Sequence, residues 1–361
     1  MSTETPLAPT EVTGAHAAGP VRTQRRLPRF AALGLFVLGI VVGGLLSALT
    51  GFSIALTVVY GVVLGALAVY LVSRQVEGRR KATDRLVTTV VTSAFVIAMV
   101  PLFSLVYTVL DNGLTRLDSE FFNSSMLGIV GEGGGAYHAI LGTLIITALT
   151  TIISVPIGLL TAIYLVEYGT GRLKKAITFL VDVMTGIPSI VAGLFAFALF
   201  ALFFGPGVRL GIMGAVALSV LMIPVVVRSA EEVLKLVPNE LREASYALGV
   251  PKWRTILKIV IPTSIAGLGT GITLAIARVI GETAPLLVTT GFVNGTNLDP
   301  FSGRMTTLPV FSFYQLTQPG FPPEFGIERA WTAALVLIIL VMALNVVARL
   351  ISRIFAPKTG R

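Results

Sequence analysis

Long runs of apolar residues, rather than alternating apolar and polar positions, dominate the chain. Eight runs are visible, and most are about 20 residues long, the length that a helix needs to cross roughly 30 Å of hydrocarbon. They lie at residues 30–50, 53–73, 86–110, 139–166, 176–204, 211–228, 259–289 and 330–350. The pattern therefore predicts an all-α protein that crosses a membrane eight times.

The segment at residues 1–29 differs in composition from the rest of the chain. It contains Pro, Thr, Ala and Gly without apolar periodicity, which is typical of a disordered tail. Four arginines precede the first apolar run, as they do in a signal peptide. Because the apolar region of a signal peptide has only about 7–15 residues, we interpret the run at 30–50 as a retained membrane helix.

The distribution of charge indicates how the helices are oriented. Only 12% of the 361 residues are charged and 54% are hydrophobic, whereas soluble domains have about 25% charged residues. With eight spans, 22 of the 27 Lys and Arg residues fall on one side of the membrane and 4 on the other. Since cytoplasmic loops carry the excess of Lys and Arg, this predicts a multi-pass protein whose N-terminal tail and C-terminus are both cytoplasmic.

Residue types that are missing or isolated exclude several functions. The chain has no cysteine and only two histidines, His16 and His138, which are far apart and short of partners, so no metal site is expected. No nucleophile lies in a cluster with an acid–base pair, which argues against an enzyme and against a cofactor of its own. The net charge of +9 comes without a nucleic-acid-binding motif, so membrane lipid is the expected contact.

Two long segments are assigned to the outer side. Residues 111–138 are rich in glycine and acidic near their end, whereas residues 290–329 carry five prolines with aromatic residues between them. The second composition predicts an ordered but irregular loop rather than a strand or a helix. Either segment could receive an external partner or simply connect two helices.

A short charged segment lies between the sixth and seventh runs, in a loop at about 229–258. It is too charged for the membrane and too apolar for a solvated loop. An amphipathic helix that ends at Gly249 is predicted, and Pro251 prevents its continuation. One face of this helix carries four residues at helical spacing: Leu241, Ala244, Ser245 and Leu248.

This segment resembles the EAA loop of importer permeases. Glu243-Ala244-Ser245 corresponds to its Glu-Ala-Ala, Gly249 follows after three residues, and Ile259-Val260-Ile261-Pro262 corresponds to its Ile-x-Leu-Pro. The resemblance implies a cytoplasmic coupling helix that docks on an ATP-hydrolysing subunit through Glu243, Ala244, Ser245 and Gly249. No Gly-x-x-x-x-Gly-Lys-Ser/Thr motif occurs, so ATP and Mg²⁺ are expected on that partner.

Two charges interrupt the seventh apolar run, Arg278 and Glu282. A charge at the bilayer centre costs about 2.5–3.5 kcal/mol, so both residues must face the bundle interior or a watered path. Their spacing places them on one helix face, where they could form a structural ion pair or handle an anionic substrate. Gly267 and Gly271 allow close packing of another helix, from this chain or from a second subunit.

The run from Arg278 to Leu287 resembles the corresponding helix of PstA-type phosphate permeases, as do Tyr164–Tyr168 and Thr185–Gly193. The resemblance implies a type I ABC importer transmembrane domain with a six-helix core at 86–355, in a bacterial inner membrane. The two helices at 30–73 are additional to that core. The implied partners are an ATP-binding subunit dimer, a second permease of the PstC type and an extracytoplasmic phosphate-binding protein.

Several alternatives remain open from the sequence. The substrate could be another oxyanion, such as sulfate, molybdate or a phosphonate, because one arginine does not distinguish them. A self-contained secondary transporter is a second alternative, although inverted halves are not evident. Pro188 in the fifth run could break the helix and expose carbonyls beside Ser189 to the path, but a packing kink is the interpretation that we favour.

Overall fold

The computed structural model describes residues 27, 28 and 30–355, so the predicted tail at 1–29, with His16, lies almost wholly outside the described residues. Fourteen α-helices and two π-helices make up the described part of the chain, without a strand. In chain order the helices are α1 (Ala31–Leu49), α2 (Ile54–Val76), α3 (Arg79–Gly113), α4 (Ser119–Asn123), α5 (Tyr137–Ile163), π1 (Tyr164–Tyr168), α6 (Gly171–Thr185), α7 (Ser189–Phe204), α8 (Gly211–Lys235), α9 (Asn239–Ala247), α10 (Lys252–Thr255), π2 (Ile256–Val260), α11 (Ile261–Ile280), α12 (Ala284–Thr289), α13 (Leu308–Thr317) and α14 (Pro323–Phe355).

The membrane spans agree with the apolar runs in number and approximate position. Among the described residues, seven helical stretches are long and apolar enough to cross a membrane, and the pair α6 and α7 makes an eighth if it crosses once. The all-α prediction is confirmed. The main differences in length are α3, whose 35 residues begin at Arg79, before the predicted start at 86, and α14, whose 33 residues extend beyond the predicted run at both ends.

The fifth span is not a continuous helix. The axes of α6 and α7 differ by 107°, and the break between them contains Gly186, Ile187 and Pro188. Pro188 is the N-cap of α7, where its missing N–H costs nothing and its fixed φ suits a helix start. A packing kink at Pro188, the interpretation favoured from the sequence, is therefore wrong.

The chain divides into two compact units, one ending at Leu105 and the other beginning at Val106. In the N-terminal unit, α1 and α2 form a hairpin whose backbones are in close contact. A Cβ atom added to Gly39 would lie 2.4 Å from the Cα atom of Gly65, and one added to Gly43 would lie 2.5 Å from the backbone nitrogen of Gly61. Small residues at these four positions are thus what permits the close packing.

Glu77 joins the end of α2 to the start of α3. Its carboxylate accepts a hydrogen bond from the Leu27 N–H at 2.9 Å and from Ser73 at 3.0 Å, and it forms an ion pair of 2.7 Å with Arg85. Burial alone would raise the pKa of this carboxyl group. The hydrogen bonds from Leu27, Arg85 and Ser73 outweigh burial and hold the pKa of Glu77 below its ordinary value.

The core of the C-terminal unit is built by α5, α8 and α11, with Ile146, Leu218, Met222 and Val279 buried among them. Gly271 is in contact with α8, because an added Cβ atom would lie 1.9 Å from the Ser229 hydroxyl oxygen. The Gly-x-x-x-Gly spacing on α11 is therefore used within this chain, which decides between the two alternatives that the sequence left open.

The long segment at 290–329 contains a helix, α13, which begins with Leu308 and Pro309. The expectation that this segment would lack a helix is wrong, because Pro at the first turn of a helix is well tolerated. The segment at 111–138 is held to α14 by Arg329, whose guanidinium donates to the Gly131 and Gly133 carbonyls at 2.8 and 3.0 Å.

Candidate functional site

A cavity of about 190 Å³ opens at the break between α6 and α7, in the C-terminal unit. Four polar side chains contribute to its wall: Thr185, Ser189, Arg278 and Glu282. The remaining wall is apolar and comes mainly from α8, with Leu221, Pro224 and Val225. The structure thus brings the two charged residues singled out in the sequence to a cavity, together with two hydroxyl groups.

Arg278 and Glu282 meet at this cavity without sharing a helix face. Arg278 lies in the last turn of α11, which ends at Ile280, and its side chain is exposed. Glu282 follows the helix end, with its N–H bonded to the Val279 carbonyl at 3.1 Å. The predicted helix through residue 289 is wrong at this point, since residues 281–283 separate α11 from α12.

Neither charge is tied up in an ion pair. Among the residues whose side chains the structure describes, every ion pair of 4 Å or less involves residues other than Arg278 and Glu282. The structural ion pair considered as an alternative is therefore not formed in this conformation. The Arg278 guanidinium is free to donate forked hydrogen bonds to an anion at the cavity.

The first turn of α7 adds further donor capacity to the cavity. Ser189 is the first residue of this 16-residue helix and lines the cavity. The first N–H groups of a helix have no intrahelical acceptor, and together with the helix dipole they favour a nearby anion. The break at Pro188 is what places this helix start, rather than a continuous helix wall, beside Arg278.

The predicted amphipathic helix is present as α9, which ends at Ala247, two residues before the predicted end, with Leu248 as its C-cap and Gly249 directly after the cap. Gly249 has φ of +71°, its N–H bonds the Tyr246 carbonyl at 2.9 Å, and the Val250 N–H bonds the Ser245 carbonyl at 3.2 Å. This left-handed C-terminal cap suits glycine because it has no Cβ atom. Nothing lies within 4 Å of a Cβ atom placed at this position.

The four residues predicted to share one face of α9 separate into two groups. Leu241, Ala244 and Leu248 are exposed, with Leu248 84% exposed, and Glu243 is exposed as well. Ser245 points inward instead. It is 4% exposed, and its hydroxyl group lies 2.8 Å from that of Thr255. The prediction that Ser245 belongs to the docking surface is corrected: it fastens α9 to the next helical segment.

Arg242 anchors α9 to the end of the fourth span, a role that the sequence analysis missed. Its guanidinium donates to one Glu167 carboxylate oxygen at 2.9 and 3.1 Å and to the Val237 and Leu234 carbonyls at 2.6 and 3.0 Å. Both side chains of the Arg242–Glu167 pair are buried. The sequence contained one signal for this pair, because Glu167 lies in the motif Tyr164–Tyr168. Local spacing cannot show, however, that two residues 75 positions apart are in contact.

Comparison with known proteins places this arrangement in a family. The model of the family described as "Binding-protein-dependent transport system inner membrane component" matches residues 154–361, which include the cavity and α9. The chain belongs to this family. The expectation of a multi-pass membrane transport subunit is therefore confirmed.

Two relatives within the family are similar over most of this chain. "Phosphate transport system permease protein PstA 1" of Mycobacterium tuberculosis (strain CDC 1551 / Oshkosh) is 47% identical over 286 residues, which are 78% of this chain and 92% of that protein. "Phosphate transport system permease protein PstA" of Pasteurella multocida (strain Pm70) is 38% identical over 285 residues, covering 78% and 97%. The resemblance to the PstA-type permeases is confirmed.

Solved structures support the predicted fold of this family member. A crystal structure of a bacterial ABC transporter involved in the import of the acidic polysaccharide alginate matches with a TM-score of 0.51 and 14% identity, over 75% of this chain and 96% of that one. The same transporter type in complex with an alginate-bound periplasmic protein matches with 0.53 and 12%, over 77% and 97%. The fold is that of a type I ABC importer transmembrane domain.

A series of ion pairs that the sequence did not reveal connects α6 and α8 in this family member. Arg228 on α8 pairs with Asp182 on α6 and with Glu231 at 2.9 Å, and Lys235 pairs with Glu231 at 2.7 Å. The sixth apolar run ends at 228, whereas α8 continues to Lys235. These ion pairs connect α6, next to the cavity, with the end of α8 that precedes α9.

Proposed function

We propose that this chain is the membrane-spanning permease subunit of an ATP-driven phosphate importer. The observation that carries the proposal is the unpaired Arg278 guanidinium at a cavity beside the broken span. Support comes from relatives that carry the name of phosphate transport system permeases at up to 47% identity. In this proposal phosphate moves inward past Arg278 and Glu282, and both termini lie in the cytoplasm.

Phosphate is a suitable substrate for the donors at the cavity. Arg278 offers a planar, permanently charged fork that matches two phosphate oxygens, and the Ser189 hydroxyl can donate to a third, whereas the Thr185 hydroxyl donates to the Val181 carbonyl at 2.9 Å. Glu282 lies on the same cavity and repels the anion. Transport requires binding that is favourable enough for entry and weak enough for release, and a neighbouring carboxylate limits affinity in this way.

Energy for transport is proposed to come from a separate ATP-binding subunit dimer, which binds ATP and Mg²⁺. The exposed surface of α9, with Leu241, Glu243, Ala244 and Leu248, is the proposed contact, and Gly249 provides the exit from it. The buried Arg242–Glu167 pair makes α9 follow the fourth span. A second permease of the PstC type and an extracytoplasmic phosphate-binding protein complete the proposed complex.

The test uses the complete transporter in liposomes, with ATP inside and labelled phosphate delivered by the binding protein. We expect Arg278→Ala to reduce uptake by at least about tenfold, because a hydrogen bond to a charged group contributes about 1.5–3 kcal/mol. Arg278→Lys keeps the charge without the fork and should retain part of the activity. The matched control is Arg172→Ala, an exposed arginine at the start of α6 that does not line the cavity. Normal uptake by an assembled Arg278→Ala transporter would refute the proposal.

Two alternatives are separated by the same preparation. If sulfate, molybdate or a phosphonate competes with labelled phosphate as well as phosphate itself does, the substrate is a broader class of oxyanions. If the purified chain alone moves phosphate down an ion gradient without ATP, it is a secondary transporter. The phosphate importer predicts that only phosphate competes strongly and that uptake stops when ATP is removed.

A further inference from the structure

An apolar slot lies in the N-terminal unit, between the α1–α2 hairpin and the first part of α3. Its volume is about 580 Å³, within the range of about 300–1,000 Å³ typical of sites for small molecules. Its walls are formed by fourteen residues, most of them apolar, among them Phe36, Ile40, Val62, Val96 and Val100. One side of the slot is formed by the two helices that precede the predicted importer core, and the other side by α3, the first helix of that core.

The slot continues into a basic cluster at the start of α3. A second cavity of about 550 Å³ shares Ala32, Thr88 and Thr89 with the slot and reaches Lys81 and Arg85. A third cavity joins Lys81 to Arg79 and Arg80. The three cavities therefore adjoin one another through shared lining residues, from the apolar slot to the charged start of α3.

The start of α3 carries an excess of positive charge. Arg85 is paired with Glu77 at 2.7 Å, which neutralises both. Three cations, Arg79, Arg80 and Lys81, then face one carboxylate, Asp84. Within the described residues none of these three cations makes an ion pair of 4 Å or less, so they are available to an external anion.

The shape of the slot limits what can occupy it. The slot extends along α3 from Thr88 to Val100, which is roughly 18 Å at 1.5 Å per residue. A helix about 10–12 Å wide occupies roughly 1,400–2,000 Å³ over that length, which exceeds the empty space of about 1300 Å³ in the slot, so a further helix does not fit. A single hydrocarbon chain does. The occupant must therefore combine a slender apolar part with an anionic end.

We propose that the N-terminal unit binds an anionic phospholipid, with an acyl chain in the slot and the headgroup phosphate against Arg80 and Lys81. Basic pockets between membrane helices at the cytoplasmic surface recognise anionic lipid headgroups through such cations. The two helices that precede the importer core thereby form a lipid-binding unit together with the first part of α3. Bound lipid fills the gap between the hairpin and α3.

The headgroup contact is tested with the purified full chain in detergent. Phosphatidylglycerol and phosphatidylcholine with identical acyl chains are titrated, and native mass spectrometry counts retained lipids. We expect the unchanged chain to retain more phosphatidylglycerol than phosphatidylcholine. Arg80→Gln/Lys81→Gln should weaken this preference by about 10- to 30-fold, the loss that two cations near a membrane surface account for. The matched control is Arg172→Gln/Lys175→Gln, two exposed cations at the start of α6.

The slot is tested with a phosphatidylglycerol that carries a photoreactive group in its acyl chain. We expect crosslinks to slot residues on α1, α2 and α3, and their loss in Val96→Trp, which fills the slot. Val91→Trp is the matched control, because Val91 is 62% exposed on the same helix but does not line the slot. Both variants add the same side chain at exposed positions of α3, so a general effect of tryptophan is controlled.

Three results would overturn the proposal. One is equal retention of the two lipids by the unchanged chain. Another is crosslinking that Val96→Trp and Val91→Trp reduce equally, which indicates only unspecific bulk lipid. The last is a combination of two observations: millimolar inorganic phosphate displaces phosphatidylglycerol, and Val96→Trp does not change the retention of this lipid. That combination would show that the basic cluster binds the free anion rather than a lipid.

Discussion

At the scale of single residues, Gly249 has the most demanding backbone conformation in the coupling region. Its φ of +71° is costly for a residue with a Cβ atom, by about 1–2 kcal/mol, although the space around it is open. We expect Gly249→Ala to lower the free energy of unfolding by that amount. Thermal melting of the purified chain measures this, with Gly34→Ala, an unobstructed helical position, as the control.

A second substitution at Gly249 separates backbone strain from contact with the ATP-binding subunit. Asn tolerates positive φ better than Ala, so Gly249→Asn should melt closer to the unchanged chain. Its side chain extends into space that this chain leaves open, where the proposed partner docks. We expect reduced co-purification with the ATP-binding subunit despite normal stability. Full co-purification of Gly249→Asn would contradict the docking role.

The Arg242–Glu167 pair is the second residue-scale feature with a measurable consequence. Removing one member of a buried ion pair leaves the other uncompensated, at about 3–5 kcal/mol. We expect Glu167→Ala to destabilise the chain by that order and Glu167→Gln by less, because Gln keeps one acceptor oxygen. The control is Glu240→Gln, an exposed position on α9, where a change within about 0.5 kcal/mol is expected. Equal melting of Glu167→Ala and Glu240→Gln would contradict this account.

At this scale, the sequence indicates a site residue when its own place in the chain makes it conspicuous. It does not indicate a residue whose role depends on contacts between distant segments. Arg278 and Glu282 stood out because any charge in an apolar run is conspicuous. Thr185 and Ser189 did not, since hydroxyl residues are common in membrane helices and only the break at Pro188 aims them at Arg278. Ser245 was assigned to the docking surface wrongly, because helical spacing shows which residues share a face of the helix but not whether that face packs against the rest of the chain.

At the scale of elements, the joint between α2 and α3 depends on the charge of Glu77. Its pKa is lowered in the folded chain by the hydrogen bonds from Leu27, Arg85 and Ser73, which outweigh burial. The unfolded chain therefore takes up a proton first as the pH falls. The stabilisation by Glu77 is complete above the ordinary Glu pKa of about 4.3, and it is lost as the pH falls through the lowered folded value.

This linkage predicts how the N-terminal unit responds to acid. Near neutral pH, Glu77→Gln should exchange backbone amide hydrogens faster than the unchanged chain in the peptides that cover residues 27–105. The difference should shrink below pH of about 4, because protonation removes the same charge as the substitution. Comparing both chains at each pH cancels the intrinsic pH dependence of exchange. A difference that persists unchanged in acid would argue against the assigned role of Glu77.

The helices were predicted well where the length of an apolar run determines their bounds, and less well where a helix is interrupted within such a run. Eight apolar runs matched eight stretches because crossing hydrocarbon needs a fixed length. The breaks at 186–188 and 281–283 lie inside apolar runs, so hydropathy could not reveal them. Both breaks border the same cavity. A functional site is where departure from a regular helix is expected, because irregular backbone is tolerated when it lines a cavity.

At the scale of the whole molecule, the sidedness of every loop depends on whether α6 and α7 cross the membrane once. A single crossing gives eight spans and puts 22 of the 27 basic residues on one side. A bend of 107° is also compatible with a re-entrant pair, in which α6 and α7 enter and leave the membrane on the same side. Every loop after α7 would then lie on the side opposite to the predicted one. The coupling role of α9 requires that it share a side with Lys175 at the start of α6. Charge asymmetry favours the single crossing.

The absence of cysteine from the chain allows this to be tested directly. Single cysteines are introduced at Lys175, Pro206, Leu248 and Leu298, all exposed positions, and labelled in intact cells with a maleimide that does not cross the membrane. We expect labelling of Pro206→Cys and Leu298→Cys, and labelling of Lys175→Cys and Leu248→Cys only after the membrane is opened. Labelling of Leu248→Cys in intact cells would put α9 on the outer side, where ATP-binding subunits are absent. The pair Lys175 and Pro206 decides the crossing by itself, because a re-entrant α6–α7 pair leaves both on the same side.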